Sequence, residues 1–157
     1  MCKWLKVSII EAEMGYGKSH LARRLAMHFA SVATFKISQA LPVFASFKGF
    51  ADSNKTLEEY VEGIVGKECL GHVRESAGRI LLILDGVDEA SADQEKSKRK
   101  VDEIIATAKG SPMWTLVFTS RPWKALGEIC LRARGSQKIS HPSAEHWQDN
   151  HLPQAGV

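Results

Sequence analysis

The stretch A-E-M-G-Y-G-K-S, which starts at Ala12, has the residue types and spacing of a loop that binds phosphate. It lies between a short apolar run at residues 5–10 and an amphipathic helix predicted over residues 18–31. A glycine-rich turn at the start of a helix presents unpaired backbone N–H groups at the positive end of the helix dipole. Phosphate oxygens bind to such groups, and Gly15 and Gly17 allow the backbone conformations that the turn requires.

Two side chains complete this phosphate loop. We expect Lys18 to reach the β- and γ-phosphates of a nucleotide and the Ser19 hydroxyl to ligate Mg²⁺. The usual pattern G-x-x-x-x-G-K-[ST] opens with glycine where this chain has Ala12, a mild change if that position needs only a small side chain. The side chain of His20 has no required role in nucleotide chemistry and is predicted to lie on the helix surface. The alternative interpretation is a strand-to-helix turn that binds nothing.

A cluster of acidic residues follows a second apolar run. Residues 80–84 (I-L-L-I-L) have the composition of a strand buried on both faces of a parallel sheet, and Asp85 comes directly after them. Ligands collect at the carboxyl ends of parallel strands, where Asp85 can hold Mg²⁺ opposite the serine of the phosphate loop. Asp88 or Glu89 can orient and deprotonate the attacking water, and the spacing does not decide between them. The alternative is that these acids only cap the following helix.

A third polar group follows the apolar run W-T-L-V-F at residues 114–118. Arg121 is predicted to leave this strand at the same edge of the sheet, where a cation can sense the γ-phosphate or stabilise charge in phosphoryl transfer. The hydroxyls of Thr119 and Ser120 are predicted to hydrogen-bond the γ-phosphate or the attacking water. The alternative is a strand end with a solvated arginine.

The elements that must position these groups alternate along the chain. A capping box of Thr56 and Glu59 begins one helix, which Gly66 and Gly71 are predicted to weaken and end. Alternating strands and helices predict right-handed β-α-β units, a parallel sheet with helices on both faces, and an α/β fold. The predicted strands are 5–10, 41–47, 80–84, 114–118 and an edge strand at 137–139, and the further helices are 92–109, 124–133 and 143–152.

Composition limits the classes of function. The chain has 157 residues, enough for one domain with a real core, and its 44% hydrophobic and 25% charged residues are typical of a soluble globular protein. A net charge of +3 is too small to indicate a nucleic-acid or membrane partner, and no apolar stretch is long enough to span a membrane. The widely spaced Cys2, Cys69 and Cys130 form no metal-ligand pair and no disulfide framework, so a reducing cytoplasmic setting is the default.

Taken in order, E-A-E-M-G-Y-G-K-S, L-L-I-L-D-G-V-D-E and F-T-S-R-P resemble the motifs of a NACHT domain, of the STAND class of P-loop NTPases. The D-G-x-D-E form of the second motif is the specific part, and the resemblance covers residues 6–152. It implies a P-loop three-layer sandwich over residues 1–157, with the effector, winged-helix and sensor regions of a longer protein absent. We therefore expect a fragment or a stand-alone core.

The resemblance further implies a switch that binds ADP or ATP with Mg²⁺, hydrolyses ATP slowly, self-associates and controls an effector in defence or signalling. The alternative is a nucleotide-dependent oligomerisation module without hydrolysis, and ATP is preferred to GTP only by resemblance. Asp88, Glu89 and Arg121 are the candidate catalytic residues, and Ser19 and Asp85 the candidate metal ligands. The predicted nucleotide contacts are Ala12, Glu13, Met14, Gly15, Tyr16, Gly17, Lys18, Ser19, His20, Thr119 and Ser120.

Overall fold

Five short segments form one parallel sheet in the computed structural model, which describes residues 7–89, 94–132 and 136–140. The order across the sheet is β2-β3-β4-β1-β5, so consecutive strands are joined by crossovers and β5 is an edge strand, as predicted. The strands are β1 (Val7–Glu11), β2 (Ala40–Ser46), β3 (Arg79–Asp85), β4 (Trp114–Ser120) and β5 (Ser136–Ser140).

The helices predicted from periodicity and capping are present where the structure describes the chain. The Thr56 capping box begins α4, as predicted. Gly66 separates α4 from α5 with φ of +87°, whereas Gly71, predicted to end a helix, lies inside α5. The predicted helix at 143–152 and residues 92 and 93 lie outside the described residues. The helices are α1 (Lys18–Ala30), α2 (Val32–Ser38), α3 (Phe47–Asp52), α4 (Leu57–Val65), α5 (Lys67–Glu75), α6 (Gln94–Gly110) and α7 (Lys124–Arg132).

The sheet is buried between two apolar layers. On one face Ile10, Leu81 and Ile83 pack with Ala22 of α1, and the apolar stripe of that helix lies against the same group, formed by Leu21, Leu25, Ala26 and Phe29. The other face packs against buried side chains of α3 to α7, including Phe50 and Ile104. Alternate residues of a strand point to opposite faces, and alternate residues of β3 belong to the two apolar layers. β3 is therefore buried on both faces, and helices, sheet and helices form a three-layer α/β arrangement.

The register of the strands decides which residues meet at the carboxyl edge. β4 lies between β1 and β3; Glu11 of β1 pairs with Ser120, and Leu84 of β3 pairs with Phe118. All three strands are parallel and therefore end at one edge. The three motif regions of the sequence lie at the ends of β1, β3 and β4 and in the segments directly after them; Thr119 and Ser120, predicted to follow a strand, are the last residues of β4. No helix in the described segments is both long and apolar enough to cross a membrane.

Candidate functional site

The phosphate loop enters α1 through glycines in the left-handed conformation. Gly17 is the N-cap of α1 with φ of +75°, and Gly15 has φ of +86°. The cap makes no side-chain hydrogen bond, and the first bond of the helix runs from the Leu21 N–H to the Gly17 carbonyl at 2.9 Å. The N–H groups of the preceding helical residues therefore have no acceptor within the helix and can bind an anion. A Cβ at either glycine would meet no atom within 4 Å, so the loop is open on that side.

The start of the loop is fixed to β4. The Ala12 N–H donates to the Ser120 carbonyl at 3.3 Å, and Ala12 is buried. Its burial explains why a small residue is accepted where the usual pattern has glycine. The Tyr16 N–H turns back to the Glu13 carbonyl at 3.4 Å. The side chains of the rest of the loop are exposed, including Met14, which is 75% exposed.

Lys18 is folded back across the phosphate loop. Its Nζ donates to the Ala12 carbonyl at 2.7 Å and to the Glu13 carbonyl at 2.9 Å. These contacts hold the ammonium group inside the loop, beside the backbone that the sequence assigns to phosphate. Ser19 and His20, in the first turn of α1, are exposed to solvent.

The acidic segment makes a tight turn after β3. Asp85, predicted to follow the strand, is its last residue, and Gly86 then has φ of +76°. The next residues form a short 3₁₀ turn, Val87–Glu89. A Cβ at Gly86 would stand 3.3 Å from Glu89 Oε2, the end of an exposed side chain that can move aside, so the positive φ is what favours glycine here.

Thr119 links the ends of β3 and β4. Its Oγ1 donates to Asp85 Oδ1 at 2.5 Å and accepts from the Gly86 N–H at 3.0 Å. The side chain is fully buried, and both of these contacts lie within the strand ends; the predicted contact with phosphate or water stays a prediction. Ser120 is also fully buried, and its Oγ has no hydrogen-bond partner among the residues that the structure describes. Neither hydroxyl is exposed for the contact that the sequence predicts.

A second link joins the same two strand ends. The Arg121 Nε donates to Asp88 Oδ2 at 2.6 Å, and the Arg121 backbone N–H donates to Asp88 Oδ1 at 2.9 Å. Burial alone would raise the pKa of Asp88, but these hydrogen bonds and the arginine charge outweigh it and lower that pKa. The Asp88 side chain is 14% exposed and that of Arg121 is 44% exposed. Asp88 is therefore a charged acceptor whose two oxygens are both engaged.

The donor set fits a magnesium ion held together with a nucleotide. Oδ2 of Asp85 makes no hydrogen bond to any residue in the described ranges, and a hydroxyl at Ser19 is exposed. Those ranges hold no group of three or more His, Cys, Asp or Glu side chains that could bind a metal ion. Mg²⁺ commonly takes one or two protein ligands and completes its shell with phosphate and water oxygens. Asp85 and Ser19 offer one oxygen ligand each, which is the number that such an ion needs from the protein, and their role as its ligands stays a prediction.

Neither interstrand link is readable from local patterns, because each joins residues more than thirty positions apart. The only signal in the sequence is the shared strand edge. A separate cavity of about 620 Å³ lies at the opposite edge, near the starts of β3 and β4, and is lined by residues such as Arg74, Arg79 and Trp114. It contains none of the predicted site residues.

Comparison with known proteins agrees with this geometry. A scan against protein families matches the NACHT domain over residues 6–139. The chain belongs to the NACHT domain family. No curated protein matches this NACHT domain. Family and fold together make it a nucleotide-binding core of the P-loop NTPase type.

Two solved structures are similar to this NACHT domain in fold. The Orc1 protein of Aeropyrum pernix, solved in complex with DNA, aligns with a TM-score of 0.59 and 14% identity over 87% of this chain and 39% of its own. PCH-2 of C. elegans aligns with a TM-score of 0.54 and 16% identity over 90% of this chain and 37% of its own. The chain thus spans less than two fifths of each of these proteins. At such low identity the likeness shows the α/β P-loop fold alone.

Proposed function

We propose that this NACHT domain binds ATP with Mg²⁺ and hydrolyses it slowly, as the core of a defence or signalling switch. The observation that carries the proposal is the position of the end of β4 between the phosphate loop and the acidic segment. One backbone hydrogen bond joins Ser120 to Ala12 of the loop, and two side-chain links join Thr119 and Arg121 to the acids. Groups that bind phosphate, metal and developing charge are thereby built on one rigid strand edge.

Phosphate binding falls to the loop and to Lys18. The free N–H groups at the start of α1 and the left-handed glycines Gly15 and Gly17 form an anion-binding concavity. On nucleotide binding, the Lys18 ammonium exchanges its two carbonyl contacts for phosphate oxygens. Because the lysine already lies over the loop, this change needs only a side-chain rotation.

Ser19 and Asp85 are the residues that would hold Mg²⁺. The ion would supply charge neutralisation for the β- and γ-phosphates. Thr119 keeps Asp85 in place by bonding one of its oxygens, which leaves the other oxygen for the metal or a metal-bound water. The buried threonine thus orients a metal ligand and does not itself contact the nucleotide.

Glu89 is the better candidate for orienting and deprotonating the attacking water. Both oxygens of Asp88 accept hydrogen bonds from Arg121, and its lowered pKa makes it a poorer base. Glu89 is exposed, and it lies on the same 3₁₀ turn, above Gly86. Of the two acids that the sequence leaves open for this role, we therefore propose Glu89 and not Asp88.

The exposed apolar residues of α2 support the proposal that this core works inside a larger assembly, by self-association or beside effector and sensor domains. Val32 is 71% exposed, Phe35 is 47% exposed and Ile37 is 84% exposed. A short helix that carries apolar side chains on several sides is normally covered by another surface.

Steady-state phosphate release from Mg-ATP tests the proposal, with nucleotide affinity measured in parallel. We expect weak turnover by the unchanged chain, loss of turnover with retained ATP binding for Glu89→Gln, and loss of binding for Lys18→Ala. Glu68→Gln and Lys67→Ala, which change exposed residues of α5, are the matched controls and should behave as the unchanged chain. Binding with no turnover above the Lys18→Ala background would favour the non-hydrolysing oligomerisation module. No binding of Mg-ATP at all would contradict both functions.

A further inference from the structure

Exposed apolar side chains are concentrated at the end of α1 and on α2. Met27 of α1 is 72% exposed, beside the three exposed apolar residues of α2. The two helices contact each other and only Ser31 separates them, so these side chains belong to one surface, which we call the α1–α2 face. The other large apolar side chains exposed in the described residues are on the phosphate loop and α4: Met14, Tyr16 and Ile64. A concentration of this kind marks a binding surface.

The charged side chains of the α1–α2 face are all cationic. Residues 14–51 contain five of the 21 Lys and Arg residues and none of the 18 Asp and Glu residues, which leaves 16 Lys and Arg against 18 acids in the rest of the chain. Arg23, Arg24 and Lys36 are exposed, and none of them forms an ion pair with a residue in the described ranges. The net charge of the whole chain therefore understates a local excess of positive charge.

The cations lie next to the apolar groups. On α1, Met27 lies one turn from both Arg23 and Arg24, because residues three and four apart are neighbours on a helix. On α2, Lys36 lies one turn after Val32. An apolar centre with positive groups beside it complements a partner surface that is apolar and acidic.

The helix α2 is formed before any partner binds. The Ser31 side chain accepts from the Thr34 N–H at 3.4 Å, and the Gln39 N–H at the other end donates to the Phe35 carbonyl at 2.8 Å. The Thr34 Oγ1 and His28 Nε2 atoms lie 3.5 Å apart, which joins α2 to the last turn of α1. Because the surface is already ordered, a partner can bind it without a large cost in conformational entropy.

We propose that the α1–α2 face docks an acidic amphipathic helix of a partner protein. The apolar side of that helix covers the apolar side chains, and its carboxylates pair with Arg24 and Lys36. The face has no acid, so two copies joined through it would place cations against cations. Lipid-binding segments carry about four to eight clustered cations, and this face has three. The inference rests on the proposed function only in that both place this domain in a larger assembly.

The test is equilibrium titration of the full chain with a synthetic peptide of about 18 residues, long enough to form a helix alone, that carries leucines on one side and glutamates on the other. A second peptide has lysine in place of every glutamate. We expect the glutamate peptide to bind at least about tenfold more tightly than the lysine peptide, because only its charge complements the face. Added salt should reduce this difference.

Substitutions locate the binding on the surface of the domain. Ile37→Ser should weaken binding of the glutamate peptide about tenfold, since it removes an exposed apolar contact. Arg24→Glu combined with Lys36→Glu should invert the preference, so that the lysine peptide binds more tightly. Ile64→Ser on α4 and Lys67→Glu on α5 are the matched controls, because these helices pack on the opposite side of the sheet from α1, and both should stay within about twofold of the unchanged chain.

Several results would overturn the proposal. They are no binding of the glutamate peptide, equal binding of the two peptides, and binding that Ile37→Ser leaves unchanged. Self-association of the free chain that Ile37→Ser abolishes would assign the face to a second copy. Binding to vesicles of phosphatidylcholine and phosphatidylserine without binding to the peptide would assign it to a membrane, and either result would refute the proposal.

Mg-ATP hydrolysis by the same samples separates this inference from the proposed function. A chain that hydrolyses ATP and ignores the glutamate peptide contradicts the docking proposal alone. A chain that binds the peptide but no nucleotide contradicts the nucleotide-dependent function and leaves the docking face supported.

Discussion

The hydroxyl of Thr119 should contribute measurably to the stability of the fold, before any nucleotide binds. Thr119→Val keeps the shape of this fully buried side chain but removes its donor to Asp85 and its acceptor for the Gly86 N–H. A hydrogen bond to a charged group contributes about 1.5–3 kcal/mol, and unpaired groups add a desolvation cost. Because Asp85 and Gly86 are partly exposed and regain water, we expect a loss of about 2 kcal/mol in the free energy of unfolding.

Thr119→Ser is the matched control, since it keeps the hydroxyl and removes one buried methyl group, at a cost of about 1 kcal/mol. Urea unfolding of the three proteins, followed by circular dichroism without nucleotide, measures both changes. The valine variant should be the less stable of the two. A valine variant within about 0.5 kcal/mol of the unchanged chain, or more stable than the serine variant, would refute the claim that this hydroxyl joins the strand ends.

Three further outcomes follow from the same structure. Gly17→Ala should lose about 1 kcal/mol of stability and most of the nucleotide affinity, because φ at this position is +75°. Gly71→Ala, inside α5, should instead gain up to about 1 kcal/mol of stability. Urea unfolding measures the two stabilities and titration measures the nucleotide affinities, and equal effects of the two changes would contradict the backbone argument. The lowered pKa of Asp88 means that its ionised form stabilises the fold fully above its ordinary pKa of 3.8 and that this contribution is lost as pH falls through the lowered value. The stability gap between the unchanged chain and Asp88→Asn should therefore close in strong acid, and a gap that widens there would reverse the assignment. Exposed Cys69 should react with iodoacetamide in the native state, whereas Cys130 should stay protected because burial raises its pKa to about 12. Peptide mapping of the labelled protein measures both reactions. Equal labelling of the two cysteines would contradict the packing of α7 described above.

Long, periodic segments of the fold are predictable from sequence because burial repeats at helical or strand spacing. The stripe of α1 and the continuous apolar run of β3 are examples, and both pack as expected. Short helices are not predictable in this way. Phe47 reads as the end of a strand, but the Ser46 side chain accepts from the Gly49 N–H and starts α3 there. Gly71 reads as a helix end, yet α5 continues through it, because neighbouring contacts such as buried Leu70 outweigh one glycine.

The candidate site is likewise predictable from the sequence only in part. The sequence predicts which residues lie at the strand edge, because parallel strands end together. It does not predict which of them bind each other, since Thr119 with Asp85 and Arg121 with Asp88 are long-range pairs set by strand order and register. These pairs show contacts of two side chains that the sequence does not indicate. The buried Thr119 hydroxyl is bonded to the end of β3, and the Asp88 carboxylate is bonded to the arginine. The functional roles that we give to these residues remain proposals.

ATP hydrolysis by this domain is tested most directly by the rate of phosphate release from ATP by the unchanged chain, with Mg²⁺ and with a chelator, beside Lys18→Ala. We expect slow release that needs both Mg²⁺ and the lysine, because the loop, the candidate metal ligands and the acidic segment lie at one strand edge. Release that is unchanged by chelation or by the loss of Lys18 would contradict it.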